Sequence, residues 1–345
     1  MSILKYPEIV SPFLQGKILY HADKLRELNN SEIVAPITCE IDLTDGACNN
    51  KCKYCFFNNN SNSNLETIDK NRLFELLVEL KKMGVKAIEL AGGGEPLMHP
   101  DFQEIIDYID SLNFKFGIVT NGLLLNKYHF NKKNLEFIRV SLDAATPDVY
   151  QVVHGVNTFD RVINNIESIV NRVNSNKIGI GFLIVPENIS DIVPAAKLTE
   201  KLGCRFIQYR PASIIGNVDA DIWNSAKQLV NRLKSESYNC QIFDGGVKWN
   251  NIVSGRQYTR CSTSSLVGVI KANGDVPLCI LNRNCKEKII GNIYEEQFEK
   301  IWFSELHHEL IRNIDVHLCR RPCKHDVYNI IVEALDNNFF HIDFV

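Results

Sequence analysis

Two things are missing from this 345-residue chain: a long block of one charge sign and a long apolar run. The formal net charge is only −3, and Lys and Arg are scattered rather than massed. Such a surface gives little pull on a phosphate backbone, which argues against a nucleic-acid partner but not against a nucleotide-like cofactor. The longest apolar stretch, near Ile178 to Val185, is far shorter than the ~20 residues that cross a bilayer, so no membrane partner is expected. The opening residues, MSILKYPEIVSPFLQ, show no basic segment followed by an apolar one, and hence no export signal. A soluble, cytoplasmic protein with reduced thiols is the expectation.

Cysteine, by contrast, is plentiful. There are eleven, an odd number, and in a reducing compartment metal ligation is the simplest reason for their clustering. Cys39, Cys204 and Cys240 stand alone and read as small buried hydrophobes. Cys48, Cys52 and Cys55 are spaced C-x3-C-x2-C. Three thiolates can hold a four-iron–four-sulfur cluster while leaving its fourth iron without a protein ligand, open to bind and reduce a molecule. A zinc knuckle, or three unrelated core cysteines, is the alternative.

With 45% apolar residues the chain can bury one barrel-sized core and a smaller one. From about residue 37 to 240, short apolar runs alternate with segments of helical period. The strand candidates are ITCEIDLT, VKAIELA, KFGIVT, FIRVSLD, KIGIGFLIV and CRFIQYR. Between the first two, Leu73, Leu76, Leu77 and Leu80 form a helical core stripe, and Gly84 sits where a C-cap is wanted. Roughly six βα units make a parallel sheet curled like part of a TIM barrel, whose chemistry gathers at the C-terminal ends of the strands. Asn58 to Asn64 (NNNSNSN) reads as a solvated linker. Near residue 245 the alternation stops and Gly, Asn and Cys become frequent. The expected organisation is an N-terminal extension (1–36), an α/β partial (β/α)6 TIM-like barrel (37–245), a small cysteine-rich domain (246–330) and a tail (331–345).

Each distinctive motif follows a strand. Gly92-Gly93-Gly94-Glu95-Pro96 comes after VKAIELA; its glycines let the strand end approach a ligand and expose backbone carbonyls to an ammonium group, and Glu95 adds charge or holds the loop. Asn121 follows the third strand, and Ser141 and Asp143 end the fourth, alternating on one face. Asp143 has a second reading, as a cap of the next helix. Leu183 lies on the fifth strand and Arg210 ends the sixth.

The cysteine loop, with Tyr54 directly before its last cysteine, together with the GGGEP run, resembles the radical SAM superfamily. The resemblance covers about residues 37 to 330 and implies S-adenosylmethionine (SAM) chelated at the open iron of a [4Fe-4S] cluster and cleaved to a 5′-deoxyadenosyl radical. It implies cofactor contacts from Tyr54 beside the adenine, from Gly93, Gly94 and Glu95 at the methionine amine, and from Asn121, Ser141, Asp143 and Leu183 around the ribose and adenine. Arg210 reads as a partner for the methionine carboxylate or a substrate anion, or as a surface cation. A flavodoxin- or ferredoxin-type electron donor is implied as well.

A second constellation closes the chain. Cys261 is followed after twelve residues by Gly274 and after four more by Cys279, and Cys319 and Cys323 form C-x3-C. Two separated cysteine pairs suit a four-thiolate, fully closed site. The C-x12-G-x4-C element resembles the opening of SPASM and twitch domains, with Asn273-Gly274 as a hairpin turn. A full SPASM domain needs more cysteines than remain, since only Cys285 is spare, so one auxiliary [4Fe-4S] cluster of the twitch kind fits better; zinc stays open, and Cys285 can replace one of the four. The segment before the barrel is short for a peptide-recognition domain, which favours oxidation or rearrangement of a sugar-like small molecule over a peptide substrate. No residue stands out as a substrate acid or base.

Overall fold

The structure, a computed structural model, describes residues 15–55, 66–212, 220–246, 249, 256 and 258–336. The NNNSNSN segment lies outside them. A 3-10 turn (Gln15–His21) and helix α1 (Ala22–Asn30) precede β1 (Thr38–Asp42) and the ribbon strands β2 (Thr44–Asp45) and β3 (Glu66–Thr67). The repeating part then runs α2 (Lys70–Lys82), β4 (Ala87–Ala91), α3 (Phe102–Ser111), β5 (Lys115–Thr120), β6 (Leu135–Ser141), α4 (Pro147–His154), α5 (Phe159–Arg172), β7 (Ile178–Ile184), α6 (Ile192–Lys201), β8 (Phe206–Pro211), α7 (Ala220–Ser235) and β9 (Gln241–Phe243). The cysteine-rich part adds β10 (Val267–Ile270), β11 (Asp275–Pro277), β12 (Ile289–Asn292), α8 (Phe298–Trp302), α9 (Glu305–Arg312) and α10 (Asp326–Asp336).

All six expected strands form, and they lie side by side in an eight-stranded sheet of order β10-β1-β4-β5-β6-β7-β8-β9. Every pairing in it is parallel. Parallel strands need helical crossovers, and these cover the sheet, which is why β7 reads as near-continuous apolar sequence. The leucine stripe of α2 is fully buried, and Gly84 follows at φ +84°. Cys39, Cys204 and Cys240 are buried, as expected of small apolar side chains.

Strands β9 and β10 extend the expected six. Strand β10 comes from the cysteine-rich part yet pairs with β1, Thr38 opposite Val267 and Ile41 opposite Ile270. The composition shift near 245 therefore does not mark a break in the sheet. Nor do the flanking segments stand apart: Ile18, Leu25 and Val34 pack with Leu266 and Val332 in a second small core, and α10 runs through residue 330. The turn at Asn273-Gly274 forms, with Gly274 at φ +85°, but β11 pairs in a ladder with β12 rather than with β10. Among the described residues no helix is long and apolar enough to cross a membrane.

Candidate active site at the strand ends

The cysteine loop is held from two sides. The backbone N–H groups of Lys51 and Lys53 donate to the carbonyls of His154 and Val153 (2.9 and 3.1 Å), satisfying carbonyls that the end of α4 leaves open. On the other side the GGGEP run presses against the loop. A Cβ on Gly92 (φ +103°) would fall 1.4 Å from Asp42 Oδ1, and one on Gly94 would fall 2.3 Å from the Ala47 carbonyl. Only glycine allows that approach. The Glu95 N–H donates to the Ala47 carbonyl at 2.8 Å.

Glu95 is the hub of this mouth. It is buried, and its carboxylate accepts from Thr120 Oγ1 (2.6 Å), the Asn121 N–H (2.8 Å) and the Leu97 N–H (3.2 Å). Burial pushes its pKa up to about 7, against the pull of those three donors. Of the two readings open for Glu95, the structure favours the one in which it holds the loop, since its oxygens are engaged by protein. Asn121 also reaches the cysteines: its Nδ2 donates to Asn49 Oδ1 and stands 3.9 Å from Cys48 Sγ.

Asp143 differs from expectation. It lies beyond the last residue of β6, at φ +53°, so strand alternation does not carry it to the same face as Ser141. Its carboxylate takes the Tyr54 hydroxyl on one oxygen and the Leu183 N–H on the other. It does not cap α4 either, since that helix end is served by Asp191, which accepts from the Ala145 N–H, the Thr146 N–H and Thr146 Oγ1. Tyr54, Asp143 and Leu183 thus form one bonded group beside the cysteine loop. Ser141 ends β6 opposite Gly181, partly exposed.

Sequence reasoning missed His154. Its Nε2 is 2.9 Å from the Leu142 carbonyl, which can only accept, so Nε2 carries a proton and Nδ1 of the neutral ring faces Cys52 Sγ at 3.1 Å. Burial lowers the His154 pKa, opposed by Asp143. Burial likewise pushes the Cys48 and Cys52 thiols up. They are therefore poor free nucleophiles, and they become thiolates when a metal displaces the proton.

Below the mouth, the strands point charge inward. Arg139 donates to Gln208 Oε1 at 3.0 Å and stands 3.6 Å from Glu89. Arg210 lies beside Arg139, makes no hydrogen bond or ion pair among the described residues, and has its pKa lowered to about 10 by burial and by Arg139. On β1, the buried Glu40 and Asp42 are met by cations from the cysteine-rich part: Arg283 contacts both, and Lys324 lies 3.2 Å from Glu40. Charged residues inside otherwise apolar strands, two in CEID and one each in IELA and FIRVS, were the available signal for this inward layer.

Among the late cysteines, burial raises the thiols of Cys261, Cys279, Cys319 and Cys323, and each also feels the charge of at least one other of the four. The Cys285 thiol donates to Glu287 Oε2 at 3.2 Å. Among the described residues, neither cysteine group is drawn in around one point as a single metal ion requires. In a four-iron cluster each cysteine binds a different iron, so a wider arrangement of sulfurs suits it.

Residues 45–199 match the radical SAM superfamily, and residues 261–325 match the SPASM iron–sulfur cluster-binding domain. The antilisterial bacteriocin subtilosin biosynthesis protein AlbA of Bacillus subtilis is 24% identical over 328 residues, covering 90% of this chain and 71% of that protein. A probable GTP 3′,8-cyclase of Methanocaldococcus jannaschii is 26% identical over 211 residues, 57% of this chain and 70% of that one. The crystal structure of Streptococcus suis SuiB bound to precursor peptide SuiA shares the fold, with a TM-score of 0.66 at 18% identity, over 91% of this chain and 75% of SuiB. The chain thus carries a radical SAM domain followed by a C-terminal SPASM/twitch iron–sulfur domain: it is a radical SAM enzyme that binds SAM and a [4Fe-4S] cluster in its partial barrel.

Proposed function

We propose that this enzyme modifies a peptide. The observation that carries the reading is the extent of the match to a bacteriocin biosynthesis protein: it runs through both the barrel and the cysteine-rich part, whereas the match to the GTP cyclase covers 57% of the chain. The SuiB likeness, in a structure holding a precursor peptide, has the same extent. The sugar-like substrate expected above rested on the brevity of the segment before the barrel, and neither AlbA nor SuiB favours it.

In this reading Cys48, Cys52 and Cys55 hold the barrel cluster, and Cys261, Cys279, Cys319 and Cys323 hold the auxiliary one. Bound there, the cluster and SAM supply one-electron cleavage and a species that removes hydrogen from the substrate. The chain's own residues position it. Gly93 and Gly94 offer backbone carbonyls to the methionine amine. Glu95 fixes the ends of β4 and β5 against the cysteine loop, and Asn121 and Ser141 present short polar groups to the cofactor. The Tyr54–Asp143–Leu183 group walls the adenine side. Arg210, without a hydrogen-bond or ion-pair partner among the described residues, is available to a carboxylate, that of SAM or of the substrate.

The test is to incubate the anaerobically reconstituted enzyme with SAM, dithionite and short peptides encoded beside its gene, with nucleotide sugars in parallel. A peptide mass change accompanied by 5′-deoxyadenosine supports the reading. Turnover of a nucleotide sugar with every peptide unchanged overturns it.

A further inference from the structure

Asn329 is an asparagine in the first turns of α10, and it is almost fully buried, at 1% exposed. A polar side chain there costs helix stability and desolvation unless its amide is fully engaged. Its Oδ1 accepts three hydrogen bonds: from the Ser262 N–H (2.9 Å), the Thr263 N–H (3.0 Å) and Thr263 Oγ1 (2.8 Å). Two of those donors are backbone N–H groups and cannot reverse, so the amide has one orientation; a flip would set NH2 against N–H. That orientation aims Nδ2 at Cys261 Sγ, 3.6 Å away.

Two of the other three late cysteines also face donors. Asn282 Nδ2 lies 3.2 Å from Cys279 Sγ, and the His325 N–H lies 3.4 Å from Cys323 Sγ. The amide contact at the barrel loop is longer, 3.9 Å from Asn121 to Cys48. Hydrogen bonds to ligating sulfurs set the potential of an iron–sulfur centre, because they draw off sulfur charge and favour the reduced form. We propose that Asn329 is a redox-positioning residue, donating an N–H···S bond to Cys261 that raises the reduction potential of the auxiliary cluster. The amide contact at the barrel set is the longer one, so the closer bond to Cys261 separates the potentials of the two clusters. This rests on the reading of Cys261, Cys279, Cys319 and Cys323 as ligands.

The experiment is an EPR-monitored redox titration of the reconstituted full chain and of Asn329→Asp and Asn329→Leu, with iron content measured on each. Asn329→Asp keeps an oxygen for the three donors and so preserves the 261–263 loop, but it has no N–H for the sulfur. The neutral Asn329→Leu separates loss of the donor from added charge. Loss of the donor should change the oxidised-to-reduced ratio about tenfold at fixed potential, about 59 mV downward for a one-electron couple. The barrel cluster should not move, and an exchangeable-proton coupling at the auxiliary cluster, read by ENDOR in D2O, should disappear. If Asn329 only staples the loop, Asn329→Asp keeps the wild-type exchangeable-proton coupling, and the proposal fails. If the wild-type chain holds only about four irons, the ligand reading itself fails, a result visible before any variant is made.

Discussion

Arg283 ties the cysteine-rich part to the barrel, and its removal has a calculable signature. It is 1% exposed on its side chain and meets Asp42, which is fully buried, and Glu40. Even with that partner, burial pushes the Asp42 carboxyl from 3.8 up to about 7. A carboxyl whose folded pKa is raised binds its proton more tightly in the folded state, so stability falls as pH climbs from the unfolded value to the folded one. At 1.36 kcal/mol per pH unit, this one group accounts for about 4 kcal/mol lost between pH 4 and pH 7. Arg283→Met removes the guanidinium that opposes the shift, so Asp42 must hold its proton to higher pH or stand charged and unpaired. Removing one partner of a buried pair costs about 3–5 kcal/mol. At about 2 °C per kcal/mol for a chain of this size, the Tm should fall by about 6–10 °C at pH 8. At pH 5.5, where Asp42 is neutral in both proteins, the gap should narrow. Thermal unfolding followed by circular dichroism at both pH values checks this. An equal Tm at pH 8, or a gap that does not change with pH, would refute the reasoning.

Four further substitutions probe the site. Cys52→Ala should abolish 5′-deoxyadenosine formation, assayed by chromatography after dithionite reduction with SAM; retained formation would remove Cys52 from the ligand set. Cys279→Ala should lower iron from about eight to about four per chain and keep uncoupled nucleoside formation while product is lost. Cys285→Ser should leave iron content unchanged, because that thiol is engaged by Glu287. Gly92→Ala should cost at least about 1–2 kcal/mol from its positive φ alone, with the overlap at Asp42 adding to it, read as a lower Tm or loss of soluble protein.

The barrel was legible because its strands are locally encoded: a parallel strand covered on both faces must be apolar along its length, and KIGIGFLIV could be little else. Strand β10 was not legible, since VGVI is a short apolar run whose partner, β1, is more than two hundred residues earlier. The triplet and GGGEP stood out because cluster chemistry constrains their spacing and because the glycines are dictated by contact with Asp42 and Ala47. The roles of individual polar residues were harder to read. Asp143 suggested a cofactor contact or a helix cap, yet a positive φ turns it toward Tyr54 and Leu183. His154 and Asn329 lie on helices far in sequence from Cys52 and Cys261, and nothing local in either helix announces a sulfur neighbour.

Iron and sulfide content after anaerobic reconstitution, with 5′-deoxyadenosine assayed after dithionite reduction in the presence of SAM, tests the central claim most directly. The account predicts about eight irons per chain together with nucleoside. A chain that takes up zinc in place of iron and forms no nucleoside would contradict it.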